Sequence, residues 1–179
     1  MKAEAAVRLR VASTQPHLQL RGMAQEFDQL FLEEYARVVS IAYRVLGDRA
    51  EAEDVAQDVF LDYHARAGRS VNSAPAWLHR AAANQALNRI RSRKRREARE
   101  AAQDQPEAPG PDALVEQEEQ RRMVREALGR LPTKSASVLA LRYSGLKYSE
   151  VADALSVGVD QVGTLLRRAE IQLRKEVQR

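Results

Sequence analysis

Gly145-Leu-Lys-Tyr-Ser-Glu-Val-Ala-Asp-Ala-Leu155, the turn Ser156-Val-Gly158, and Asp160-Gln-Val-Gly-Thr-Leu-Leu-Arg-Arg168 decide how this chain reads. They lie within Leu131–Leu173, whose pattern is that of a helix-turn-helix. An apolar helix, Ser137 to Tyr143, ends near Gly145, and a short second helix follows from Tyr148 to Leu155. A third begins near Asp160 and continues through Arg167 and Arg168. Helices joined by a short turn containing glycine are how a small protein offers one helix to a DNA major groove.

The rest of the chain is read from this motif outward. With 179 residues, one or two small domains is the natural expectation. Ala, Leu, Arg, Glu and Gln dominate, and strand-forming clusters are scarce, which favours helices throughout. The absence of cysteine excludes disulfides, thiol catalysis and Cys-based zinc sites, and it fits a cytoplasmic setting. His17, His64 and His79 show no ligand spacing, so neither a metal nor another cofactor is expected. No Gly-rich phosphate loop and no Ser/His/Asp constellation points to an enzyme or a small-molecule substrate. No apolar run has the length that membrane insertion needs.

Residues 1–23, with scattered Arg and no apolar core, are expected to form a disordered extension. A first helix is predicted over Ala24 to Leu46, closed by Gly47. A second is predicted over Ala50 to Ala67, apolar at Val55, Ala56, Val59, Phe60 and Tyr63, and acidic at Glu51, Asp54, Asp58 and Asp62. A third runs from Ala76 into Arg89-Ile-Arg-Ser-Arg-Lys-Arg-Arg96, with Trp77, Leu78, Ala81, Leu87 and Ile90 as its stripe. That basic run reads either as a phosphate-binding surface or as a solvated helix end. Residues 24–99 thus form a three-helix domain, 100–113 a Pro-rich flexible linker, and 114–179 the helix-turn-helix domain. The fold class is all-α, two small helical domains joined by that linker.

Two stretches carry a family resemblance. Ala52-Glu-Asp-Val-Ala-Gln-Asp-Val-Phe60 matches the pattern A-E-D-x-x-Q-[ED]-x-F, and Trp77-Leu-His-Arg-Ala-Ala-Ala-Asn84 matches W-L-x-x-[IA]-A-x-N before a basic tail. Both resemble region 2 of sigma-70-type RNA polymerase sigma factors of the extracytoplasmic-function (ECF) class. Leu131-Pro132 and Gly145 to Leu155 are similar to region 4 of the same class. The resemblance spans about residues 24–96 and 120–176. It implies a sigma factor that binds core RNA polymerase and recognises and helps melt promoter DNA, with no catalysis of its own. It also implies an anti-sigma factor as a candidate partner, since such partners are common in the class.

By the same resemblance, Asp54, Gln57 and Asp58 would bind the polymerase clamp helices. The loop with Ser70 and Asn72, the helix with Trp77 and Asn84, and the basic Arg89 and Arg91 would serve the minus-ten region. The helix-turn-helix would read the minus-thirty-five element and dock on the polymerase flap. The residue types agree: small polar groups can bond splayed bases, and arginines hold phosphates. Trp77 also reads as a core residue, Asn84 as a brace for the loop, and Asp54 as a partner for local donors.

The third helix departs from the class pattern, with Gly163, Leu165 and Glu170 where Lys, Arg and Arg are common. Gln161, Thr164, Arg167 and Arg168 remain as the DNA-facing set, suited to adenine, a thymine methyl and phosphates. Lys147 stands where a Ser cap is common. Two alternatives stay open: a degenerate sigma-like adaptor, which this depletion makes plausible, and a one-component helix-turn-helix regulator.

Overall fold

A computed structural model describes residues 15–66, 73–100 and 113–179. Seven helices make up these residues: α1 (Gln15–Leu46), α2 (Arg49–Ala65), α3 (Ala74–Glu100), α4 (Ala113–Arg130), α5 (Thr133–Tyr143), α6 (Tyr148–Leu155) and α7 (Val159–Val177). The expected all-helical class is what the structure shows. Ser70 and Asn72 and the linker core, 101–112, lie outside the described residues. No helix of the described residues is long and apolar enough to cross a membrane.

The first unit, α1 to α3, is built on amphipathic stripes. Val38, Ile41, Ala42, Val45 and Leu46 recur at helical spacing on α1 and are buried. Phe27, Phe31 and Tyr35 extend that face, and Phe31 meets Phe60 of α2 edge-on at 4.8 Å. Helix α1 begins at Gln15, earlier than the Ala24 expected from periodicity. Pro16 is no obstacle there, because a first-turn residue needs no amide hydrogen. The helix ends at Gly47, whose φ of +74° is a left-handed cap that a side chain would strain. Asp48 then caps α2, its carboxylate accepting from the Glu51 amide at 2.8 Å.

The second unit is organised around α5. Ala136 to Leu141 are all buried, so α5 is covered on every side. Helices α6 and α7 close over it. The turn between them places its left-handed residue at Ser156 (φ 54°), while Gly158 is extended at the entry to α7. The Val157 amide donates to the Ala152 carbonyl at 3.0 Å, which ties the turn back onto α6.

The two units are not separate bodies. Helix α3 packs against α1 and α2 on one side and α4, α5 and α6 on another, giving one continuous apolar core from Val38 to Ala169. Alanines at 82, 83 and 86 are fully buried in α3, and such small side chains let neighbouring helices approach closely. Leu141, also fully buried, sits in the last turn of α5. Leu141→Ala is expected to cost about 2–5 kcal/mol through lost burial and the cavity left behind. Urea unfolding followed by circular dichroism checks this, and a loss well under 1 kcal/mol contradicts the packing.

Candidate nucleic-acid and partner interface

The acidic face of α2 follows from its register. Residues 52, 55, 56, 59 and 60 point inward, so Asp54, Gln57 and Asp58 point out and all three are exposed. Leu61 belongs to the same surface and is 67% exposed, an apolar side chain one turn beyond Gln57 and Asp58. Arg89 of α3 leans on this face, 2.8 Å from Asp58 and 3.8 Å from Asp54. Arg93 likewise pairs with Glu51. Pairs this exposed contribute about 0–1 kcal/mol, so a partner can take the α2 carboxylates at small cost.

Arg91 is held differently. Its guanidinium donates to the carbonyls of Gly129 (3.1 Å) and Leu131 (2.9 Å) and to the Thr133 hydroxyl (3.1 Å). Those carbonyls belong to the end of α4, where the helix leaves them unpaired and its dipole favours a cation. A bond from a charged donor contributes about 1.5–3 kcal/mol net, so Arg91 is fixed far more firmly than Arg89. Asn84, one side of α3 further back, accepts a hydrogen bond from the buried Ser137 hydroxyl at 3.1 Å. Both residues expected to face DNA therefore face the second unit. Trp77 is partly buried against the core, 5.7 Å from the Tyr63 ring, with the Arg66 guanidinium 5.8 Å from its own. The basic run ends outward, with Lys94, Arg96 and Arg99 exposed and in no ion pair among the described residues.

A second polar contact joins the units. Arg37 of α1 reaches Glu150 of α6 at 2.6 Å. The Glu150 carboxylate also accepts from the Lys147 amide at 2.7 Å, capping α6 where lysine offers no acceptor of its own. That amide bond, first, and then the Arg37 charge hold the Glu150 carboxyl below the usual glutamate range, with burial opposing them. It is therefore ionised at neutral pH. Nearby, His79 of α3 is 2% exposed and bonds Glu34 at 2.7 Å.

On α7, Gln161, Thr164, Arg167 and Arg168 are all exposed, as a groove-facing set requires. Leu165 packs on the core, and Glu170 accepts from the Tyr143 hydroxyl at 3.0 Å, tying α7 to α5. That bond, with burial and the carboxylate charge adding, raises the Tyr143 phenol above its ordinary value. Two of the departures in this helix thus have structural uses.

Known proteins bear directly on these surfaces. Residues 30–96 match the model for Sigma-70 region 2, and residues 121–173 match that for Sigma-70, region 4. The chain is 32% identical over 184 aligned residues to the ECF RNA polymerase sigma factor SigK of Mycolicibacterium vanbaalenii, covering 96% of this chain and 93% of that one. It belongs to the ECF class of sigma-70-type sigma factors. The RNA polymerase sigma-H factor of Pseudomonas aeruginosa is 29% identical, over 88% of this chain and 89% of its own length. Among solved structures, CnrH in complex with the cytosolic domain of CnrY gives a TM-score of 0.52 at 21% identity, covering 85% of this chain and 87% of that one. The sigma factor RpoE in complex with the anti-sigma factor NepR from Bartonella quintana gives 0.51 at 20% identity, covering 86% and 98%. Both show likeness of fold.

The family assignment sets the one-component regulator aside. For this sigma factor, the motif reading located the α2 face and the exposed α7 set but not the seam between units. Arg37, Thr133 and Ser137 lie outside the quoted blocks, and Glu150, though inside the Gly145–Leu155 block, gives no sign there of its partner on α1. Leu61 was equally silent, since a leucine in a helix reads as core until its register is known. Gly163 has a legible consequence: a Cβ there would meet only the Tyr148 ring, at an ordinary 3.7 Å. Gly163→Ala is expected to stabilise the protein by about 0.5–1 kcal/mol through reduced freedom of the unfolded chain. Urea midpoints at unchanged slope check this, and a fall in stability contradicts the geometry.

Proposed function

We propose that this ECF sigma factor binds core RNA polymerase through α2, using Asp54, Gln57, Asp58 and the exposed Leu61 beside them. The single observation that carries this is the α2 surface itself: three polar side chains and one bare leucine point outward from a helix whose other face is wholly buried. The buried centre of a protein interface is apolar and its rim polar, which is the arrangement of Leu61 among these side chains. Arg89 keeps the carboxylates oriented while the face is free.

Promoter recognition is divided between the units. Helix α7 reads the duplex minus-thirty-five element with Gln161 and Thr164 at base edges and Arg167 and Arg168 on phosphates. Ser70, Asn72, Trp77, Asn84, Arg89 and Arg91 serve the minus-ten region, Trp77 chiefly by bracing α3. Opening DNA costs a few kcal/mol per unstacked step, and capture of the separated strand offsets it. The protein contributes no catalytic residue and needs no metal or cofactor. It acts in the cytoplasm with polymerase, and the RpoE neighbour solved with the anti-sigma factor NepR supports sequestration by such a partner here. The exposure of Arg167 and Arg168 favours DNA reading over the adaptor alternative. Residues 24–99 and 114–179 are the two working units, with 100–113 between them.

Gln57→Ala with Asp58→Ala should weaken binding to core polymerase about tenfold or more while leaving the circular dichroism spectrum unchanged. Run-off transcription with core polymerase on a genomic fragment library should yield discrete start sites with the native chain and few with this variant. Undiminished co-purification of the double variant with polymerase contradicts the assignment of α2.

A further inference from the structure

Between the end of α1 and one face of α4 lies a groove of about 750 Å³, away from both the α2 and the α7 surfaces. Sites for small molecules fall in this size range, about 300–1,000 Å³. Tyr43, Arg44 and Gly47 line its α1 wall, and Gln120, Arg121 and Val124 its α4 wall. Helix faces that pack on one another are apolar. These two carry arginines instead, and the groove between them stays open.

Arg125 of α4 forms the floor. It lies so close against Gly47 that a Cβ there would come within 2.6 Å of its Nη1. Its guanidinium is 2.6 Å from the Glu118 carboxylate. That bond, with desolvation opposing it, holds the Glu118 carboxyl below the usual glutamate range. Arg121 reaches the same carboxylate only at 3.7 Å and is 68% exposed. Arg44 is exposed and in no ion pair among the described residues. Three arginines against one carboxylate leave the lining with net positive charge. Beside them Tyr43 is 51% and Val124 40% exposed, so a ring and an aliphatic side chain stand bare in the same groove.

A simple anion has no use for a ring, and an apolar molecule has none for arginines. The combination fits a flat ring joined to phosphates. Bases stack on aromatic faces, and guanidinium forks bond phosphate oxygens in pairs. The Gln120 amide, donor and acceptor together, suits the edge of a base.

We propose that this groove binds a free nucleoside polyphosphate, its base on Tyr43 and its phosphates between Arg44 of α1 and Arg121 of α4. Arg125 is a positioning residue, fixed by Glu118 and backed by Gly47. The long, exposed Arg121–Glu118 pair gives way to a phosphate at little cost. A ligand so held touches the end of the first unit and the first helix of the second at once.

The full-length chain tests this, with ATP and GTP that carry a fluorescent methylanthraniloyl group on the ribose as probes. Titration should saturate at one nucleotide per chain. Tyr43→Ala should weaken binding at least about tenfold, whereas Tyr43→Phe, which keeps the stacking ring, should stay within about twofold of the native chain. Arg44→Glu with Arg121→Glu should weaken it about a hundredfold or more. Arg174→Glu with Lys175→Glu makes the same change of charge on the exposed end of α7 and should leave affinity within about twofold. Unlabelled ATP or GTP should displace the probe at a concentration at least about tenfold lower than inorganic triphosphate does.

Absence of saturable binding by both probes overturns the proposal. So does an equal loss in the two charge-reversed chains, or displacement by triphosphate as effective as by ATP, since either marks charge alone. Displacement by a 20-nucleotide DNA strand at a lower total nucleotide concentration than ATP assigns the groove to nucleic acid and equally overturns it. The substituted side chains are exposed, and circular dichroism identifies any chain that fails to fold; the other groove variant then decides.

Discussion

The packing of α3 on both of its sides is the constraint from which the rest of the structure follows. Its 27 residues must satisfy α1 and α2 on one flank and α4, α5 and α6 on another. Alanine-rich stretches make this geometrically feasible, since each small side chain lets a neighbouring helix come close. Arg91 completes the arrangement by giving the end of α4 the donors that a helix terminus lacks. Remove α3 from either flank and that flank exposes an apolar surface that no other described helix covers.

This shared use explains why the charges on α3 divide as they do. Arg89 and Arg93 turn to α2 and form exposed pairs of small energetic weight. Arg91 turns to the second unit and forms several bonds in a partly buried setting. Lys94, Arg96 and Arg99 point to solvent. A basic run that reads as one patch is therefore three groups with different availability. Long-range attraction to nucleic acid persists because the net charge of the run is unaltered by where each side chain rests. Local contact depends on which partners must first be released.

Much of the fold was legible because it rests on periodicity and local stereochemistry. The stripes of α1 and α2, the left-handed Gly47, the short α6 and the exposed α7 set all follow from spacing within a few turns. The outward face of Asp54, Gln57 and Asp58 follows from the same register. What escaped was set by partners distant in sequence. Asn84 meets Ser137 across 53 positions and Arg37 meets Glu150 across 113, and nothing in either residue type announces its partner. Leu165 and Glu170 looked like losses in a DNA-reading helix, yet one packs on the core and the other holds Tyr143. The turn before α7 needed no glycine at its left-handed position, which Ser156 occupies. Ser70 and Asn72 lie beyond the described residues, and their part in strand capture stays a proposal.

The central claim is that core RNA polymerase holds the outward face of α2, where Asp54, Gln57 and Asp58 are exposed. It is tested most directly by titrating the labelled chain with core polymerase and comparing the native chain with one carrying Asp54→Arg and Asp58→Arg, which reverses both exposed carboxylates. The predicted result is a variant that keeps its helical circular dichroism spectrum and loses at least about tenfold in affinity, roughly 1.4 kcal/mol. Equal affinity of the two chains would contradict it.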